Sequence, residues 1–273
     1  MGKTWSIYNH CLLCTLPPHN CPPPMDKITP WYLLKNNLLL ARWIDCWDST
    51  KETEWWHCIK DDAYEIDSLK AKRRYEIKRG SKNFNVRIIN PEKYTKEIYE
   101  VFCQAYTDYP ILYRPTITIE QIVNACISWK KNIFIGGFNH NNELCGCAVL
   151  IDDKDYVDFS MLRIKPEFQH DGINFAIVNF ICDWMMQHKR YIYITDGERN
   201  IRHITAFQDF LIKYFGFRKA YCRLNIMYNP LVKILILGMF PFKALFARIG
   251  NQNTLVYNFY CLLKQEEIRR SFL

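Results

Sequence analysis

Two kinds of chemistry are available to the side chains of this 273-residue sequence. The first is proton transfer. Asp158, Asp196 and Glu198 stand on or at the ends of apolar runs that read as strands. A carboxylate half-buried at a strand end loses hydration around its charge, so its pKa rises and it can act as a general base. Each also suits a cap, a turn or an ion pair. The second is anion binding. Residues 161–164 read as the end of a strand, followed by Pro166-Glu167-Phe168, then Gln169-His170-Asp171-Gly172, then an apolar helix. Such a turn aims backbone N–H groups outward at a helix start, where the dipole adds about half a positive charge. A pyrophosphate fits there, and Gly172 would let it approach the backbone closely.

The elements that hold these groups follow from periodicity. Strands are expected over 86–89, 132–138, 144–152, 155–164, 191–195 and 217–227, and helices over 92–106, 119–129, 173–188 and 201–214. Ile98, Val101, Phe102 and Ala105 form one helical stripe. Residues 139–143 form a hairpin loop, and Asp196-Gly197 ends the strand before it. The order predicts a mixed sheet with helices on its faces. Upstream, a helix over 32–37 and a strand over 38–44 precede a strand over 55–60. A basic helix over 68–79 is stopped by Gly80. Two proline clusters, Pro17-Pro18 and Pro22-Pro23-Pro24, favour extended chain near the start. The tail, 229–250, is strongly apolar but interrupted by Lys233, Pro241, Lys243 and Arg248. It suits a broken interfacial helix or a hairpin packed on the domain.

Composition narrows the class. Hydrophobic residues make up 49% and charged residues 23%, which excludes a disordered chain. The net charge of +8 suits a phosphorylated ligand or an anionic membrane surface. Twelve cysteines sit mostly in apolar runs and no leader-like apolar segment opens the chain. The expectation is a cytoplasmic protein with thiols, peripheral membrane contact being an option for the tail. His10, Cys11, Cys14, His19 and Cys21 contain half of a zinc pattern without its second half, so no metal is expected. No P-loop, dinucleotide fingerprint or serine-hydrolase elbow is present. DNA is not an expected partner.

The turn resembles the cofactor loop of the GNAT superfamily of acyltransferases. Ile164-x-Pro166, Gln169 and Gly172 match that family's strand with Val-x-Pro and its Gln/Arg-x-x-Gly-x-Gly/Ala. Asn174 stands where the family has Gly or Ala, and Asp171 where a basic residue is common. Asn200, Ala206-Phe207 and Gly216-Phe217-Arg218 resemble the segment that borders the acyl-carrying arm. The resemblance covers about 86–227. It implies an α/β fold with a mixed, mostly antiparallel sheet flanked by helices. It also implies direct transfer of an acetyl or other acyl group from acyl-CoA, such as acetyl-CoA, to an amine. On that basis the backbone of Leu162, Arg163 and Ile164 pairs with the pantetheine arm. Gln169, His170, Asp171, Gly172, Ile173 and Asn174 hold the pyrophosphate, and Asn200 and Phe207 border the cofactor. Asp158, Asp196 and Glu198 are the candidate bases. Ile212 occupies the position where many members carry a tyrosine acid, so the acid role is unassigned.

Trp55 to Asp61 and the basic run Lys72 to Gly80 resemble, more weakly, the Fem-type peptidoglycan aminoacyltransferases. Those have GNAT-like folds and take aminoacyl-tRNA. The expected organisation is an N-terminal extension (1–85), a GNAT-like domain (86–228) and an apolar helical hairpin as the C-terminal tail (229–273). The expected function is an N-acyltransferase with a small-molecule or cell-envelope amine as acceptor. The alternatives are a Fem-like aminoacyltransferase acting on a cell-envelope precursor and a non-catalytic GNAT-like scaffold.

Overall fold

A computed structural model describes residues 4–107, 114–188, 190–201, 206–250 and 253–272. Strands β1 (Trp5–Tyr8) and β2 (Cys11–Cys14) precede helix α1 (Pro30–Lys35). Strands β3 (Leu40–Ser49) and β4 (Trp56–Lys60) precede α2 (Ala71–Asn83). Strand β5 (Asn85–Ile88) is followed by α3 (Thr95–Ala105) and α4 (Ile119–Trp129). Next come β6 (Ile133–Phe138), β7 (Leu144–Asp153), β8 (Tyr156–Ile164), α5 (Ile173–Gln187), β9 (Tyr193–Glu198) and α6 (Ala206–Phe215). The chain ends with β10 (Arg218–Tyr228), α7 (Pro230–Met239), α8 (Lys243–Gly250) and α9 (Thr254–Ser271). These elements form two compact units. One comprises Met1–His57, Glu198–Thr205 and Lys219–Leu273, and the other Cys58–Gly197 and Ala206–Arg218.

The second unit carries the strand order β4-β9-β8-β7-β6-β5. Strands β5 to β8 pair antiparallel in succession, and β8 pairs parallel with β9. This is the expected mixed, mostly antiparallel sheet. Strands β6 and β7 are buried on both faces because helices cover each side. Phe134, Phe138, Cys147 and Val149 point to one face, where Ile98, Val101 and Phe102 of α3 and Ile122 and Cys126 of α4 meet them. On the other face small residues admit α5. A Cβ on Gly137 would lie 2.8 Å from Ile173 Cδ1, and one on Gly146 would lie 3.1 Å from Ile177 Cδ1. The start of α4 is fixed by a capping box between Thr118 and Gln121.

Two local expectations are corrected. Gly80 does not stop α2, which runs on to Asn83. Asp196-Gly197 lies within β9 rather than ending it, with Gly197 at φ +79°. The helix expected over 201–214 is described from Ala206, and its part at 202–205 lies outside the described residues.

The first unit carries the order β1-β2-β3-β10. Alternate residues of β10 turn inward. Cys222, Leu224, Ile226 and Tyr228 pack with Leu40, Ile44 and Trp55, and with Ile236 of α7 and Leu263 and Ile268 of α9. Trp5, Leu12, Ile28, Leu33, Leu38 and Ala41 form a second cluster in this unit. Asn229 caps α7 by accepting a hydrogen bond from the Val232 N–H, and Pro230 fills the first helical position. Helices α7 and α8 follow one another through a 3-10 turn, and the expected hairpin of the tail is made by α8 and α9, which pack together.

Candidate active site

The site begins where β8 and β9 part. Their parallel pairing has three rungs, Tyr156 with Tyr193, Val157 with Ile194 and Asp158 with Thr195, and stops there. On its other edge β8 stays paired to β7 as far as Ile164. Residues 159–164 therefore have one bonded edge and one edge released from the parallel ladder. A released edge offers backbone N–H and C=O groups to an extended ligand. Leu162 and Ile164 are half-buried there. The Arg163 side chain is occupied elsewhere, since its Nε donates to Tyr106 Oη at 3.0 Å and its guanidinium lies over Phe102 and Tyr106. Only its backbone is available to an arm along β8.

Two of the three expected bases come together at the parting point. Burial raises the Asp158 carboxyl to about 6, with a smaller push from Asp153. Burial raises the Asp196 carboxyl to about 7; a hydrogen bond with Gln208 opposes that, and the Asp158 charge adds to it. The influence runs one way, from the Asp158 charge to Asp196, and leaves two half-buried carboxylates that can bind a proton near neutrality at the same place. Glu198 is not part of this pair. It belongs to the first unit, where it forms an ion pair with Arg42. Asn200, exposed, also lies in that unit.

A run of aromatic rings, buried at Phe159 and half-buried beyond it, lies beside the released edge. Phe159 meets Phe207 edge-on at 5.3 Å between centroids, and Phe207 stacks on Phe210 at 6.0 Å. Phe210 and Tyr214 both touch Phe175, each at 5.0 Å. Phe175 and Phe210 were not singled out from the sequence. The visible signal was Phe207, Phe210 and Tyr214 at spacings of three and four, one face of a helix.

The turn after β8 is held by tight internal bonds. Phe168 N–H donates to Lys165, Gln169 to Pro166, Asp171 to Phe168 and Gly172 to Gln169. The side chains of Gln169, His170 and Asp171 are exposed. Gly172 caps α5 at φ +91° and supplies no side-chain cap. A helix start leaves its first N–H groups over, here those of Ile173, Asn174 and Phe175. Asn174 Oδ1 is buried without a hydrogen-bond partner.

The open face expected at Gly172 is closed. A Cβ there would sit 3.0 Å from Gly80 Cα, because α2 crosses the turn at that point. Arg79 donates to the His170 carbonyl at 2.7 Å and Asn83 to the Asp171 carbonyl at 3.0 Å. The glycine serves helix packing. The donors that suit a phosphate are those of the first turn of α5, so the turn fits an anion through Ile173 to Phe175 rather than through Gly172.

Other candidates separate from this site. A cavity of about 450 Å³, lined by Ile133, Asp152, Trp184, His188, Arg190 and Tyr191, opens at the opposite end of β7 and β8. Among the described residues no group of three or more His, Cys, Asp or Glu side chains is placed to hold a metal. Cys14 and Cys21 Sγ lie 3.7 Å apart.

No protein-family model and no curated protein matches the sequence. Solved structures do resemble the fold. L-PGS from Bacillus licheniformis aligns at TM-score 0.51 and 10% identity, covering 85% of this chain and 83% of that one. FemX aligns at TM-score 0.49 and 9% identity over 66% of this chain and 63% of its own. The PaiA N-acetyltransferase from Thermoplasma acidophilum, in complex with coenzyme A, aligns at TM-score 0.32 and 19% identity over 39% and 73%. The likeness to L-PGS, over most of both chains, shows a shared mixed α/β fold.

Proposed function

We propose that the protein is an N-acyltransferase that moves an acetyl or other acyl group directly from an acyl-CoA to an amine. The observation that carries this reading is the parting of β8 and β9 at Asp158, with two raised carboxylates at its apex. The donor's arm would lie along the released edge at Leu162 to Ile164, with its phosphates at the first turn of α5. Phe207 and its aromatic neighbours would wall the acyl end and exclude water from the thioester. In the transfer the amine nitrogen bonds to the thioester carbon and the carbon–sulfur bond breaks. Asp196, paired with Asp158, takes the proton that the nitrogen loses. The same carboxyl can return that proton to the departing sulfur, which closes the proton balance without a tyrosine at Ile212.

Titration calorimetry of the full chain with acetyl-CoA and free coenzyme A tests the donor. Micromolar binding is expected. A folded protein that binds neither would overturn the acyl-CoA reading.

A second reading keeps the site and changes the donor to an aminoacyl ester of tRNA, with a cell-envelope amine as acceptor. It is supported by the basic run Lys72 to Gly80 and by the apolar tail, which suit a lipid-linked substrate at an anionic membrane. Binding of aminoacyl-tRNA without any affinity for coenzyme A would select it.

A further inference from the structure

The successive helices α7 and α8 have an outward face that does not suit water. Within Pro230–Gly250 an 18-residue window has a mean hydropathy of 1.7, and the segment is apolar and long enough to cross a membrane. Helices α7 and α8 follow one another through a single 3-10 turn at Phe240–Phe242, around Pro241. The inward side chains Val232, Ile236, Met239 and Phe246 are packed in the core with Leu263 and Ile268. The outward side chains Leu231, Ile234, Leu235, Leu237, Phe242 and Leu245 are each 50–70% exposed. Helix α1 packs against α7 and adds Trp31, 64% exposed. A contiguous apolar face of this kind calls for a non-aqueous partner.

Charge decides which partner. Between Asp209 and Glu266 the sequence has no carboxylate. Lys233 and Arg248 sit among the outward apolar residues, exposed, with no ion-pair partner among the described residues. A second copy of the face would bring these cations together with nothing to neutralise them. A bilayer takes the same pattern without conflict. The aliphatic stems lie along the apolar layer, the charged heads reach lipid phosphates, and a tryptophan settles at the interface.

We infer that the outward face of α7 and α8, with Trp31, docks on an anionic phospholipid bilayer as an interfacial anchor. The acceptor of any transfer would then be drawn from amines at that surface, but the docking itself does not depend on the acyl-transfer reading.

The test is co-sedimentation of the full chain with phosphatidylcholine vesicles, with and without phosphatidylglycerol. Association with the anionic vesicles is expected, weakening as salt rises. Ile234→Asn with Leu245→Asn should weaken it at least tenfold, by about the loss of two inserted side chains. Lys233→Gln with Arg248→Gln should weaken it about thirtyfold on anionic vesicles and little on neutral ones, at roughly one headgroup contact per cation. All four positions are on the surface, so unchanged thermal melts would show that the variants fold. Three results would overturn the inference: no association with anionic vesicles at low salt, unchanged association of the Ile234→Asn/Leu245→Asn variant, or a solution dimer that this variant dissociates. Coenzyme A titration of the same variants reports separately on the donor site, so failure of one reading leaves the other measurable.

Discussion

Gly80 and Gly172 touch through their backbones where α2 crosses the start of α5: a Cβ on Gly80 would lie 2.4 Å from the Gly172 carbonyl oxygen. No side chain fits that gap without moving one helix. Gly80→Ala should therefore destabilise the protein by about 1–3 kcal/mol through overpacking, even after alanine's better helix propensity of about 1 kcal/mol is counted. Gly238 is the control. It is also helical, but a Cβ there meets nothing within 4 Å. Gly238→Ala should stabilise by about 0.5–1 kcal/mol. Urea denaturation of both variants decides it, and a stabilised Gly80→Ala would refute the contact. The same geometry means that a bulky residue at Gly172 reports on packing and not on donor binding.

The carboxylate pair predicts a pH profile. If Asp158 and Asp196 must give up a proton before they can accept one from the amine, activity should fall as pH drops below about 7. Asp196→Asn should lower kcat about a hundredfold or more and leave the donor Kd within about twofold. Rate measurements from pH 5.5 to 9, roughly the window around neutrality in which such groups titrate, check both parts. A variant with an unaltered rate would remove Asp196 from the chemistry.

Much of the site's framework was visible in residue patterns. The β8–turn–α5 unit follows from one apolar run, a proline and Gly172, and Asp158 and Asp196 stand out as carboxylates on or beside apolar strand runs. What did not show was long-range. That Gly80 is a packing glycine depends on α5 lying against it, about ninety residues away in sequence, and local rules read it as a helix stop. Glu198 looked equivalent to Asp196 two residues earlier. Its ion pair with Arg42 is 156 residues distant in sequence and has no local signature. Strands β1 and β2 are four residues each among prolines, too short for a period to appear.

His57 makes the first unit sensitive to acid. Its ring is buried, and neither nitrogen has a hydrogen-bond partner. Burial, with the Arg42 charge adding to it, lowers its pKa from 6.5 to about 4. The folded protein thus holds a neutral imidazole where the unfolded chain takes a proton. This contribution to stability is complete above pH 6.5 and is lost as pH falls toward 4, by up to about 3 kcal/mol. His57→Phe keeps the edge contact with Trp47 and should flatten that limb. Denaturant midpoints at pH 7 and pH 5 measure it, and a parallel pH dependence in the variant would place the acid sensitivity elsewhere.

Glu266 ties the C-terminal helix to β10. Its carboxylate is only 2% exposed. It accepts from Tyr228 Oη at 3.1 Å, from Arg269 Nε at 2.7 Å and from Arg270 Nε at 2.7 Å. Burial pushes its pKa up, but the bonds from the two arginines outweigh that and hold it below the usual carboxylate value. Its contribution is therefore present at neutral pH and lost as pH falls below the ordinary glutamate range. Glu266→Gln would leave two guanidinium groups facing a neutral amide. Removing one partner of a buried ion pair costs about 3–5 kcal/mol; each arginine is more than a third exposed, which reduces the expectation to about 2 kcal/mol. Arg270 also lies 3.9 Å over the Phe240 ring at the 3-10 turn between α7 and α8, so loosening it should make that turn more accessible to protease. Glu267→Gln is the comparison. Glu267 is about a third exposed and pairs with Lys243 and Lys264, and its loss should cost under about 1 kcal/mol. Equal urea midpoints for the two variants would show that Tyr228 and the arginines do not depend on the buried charge.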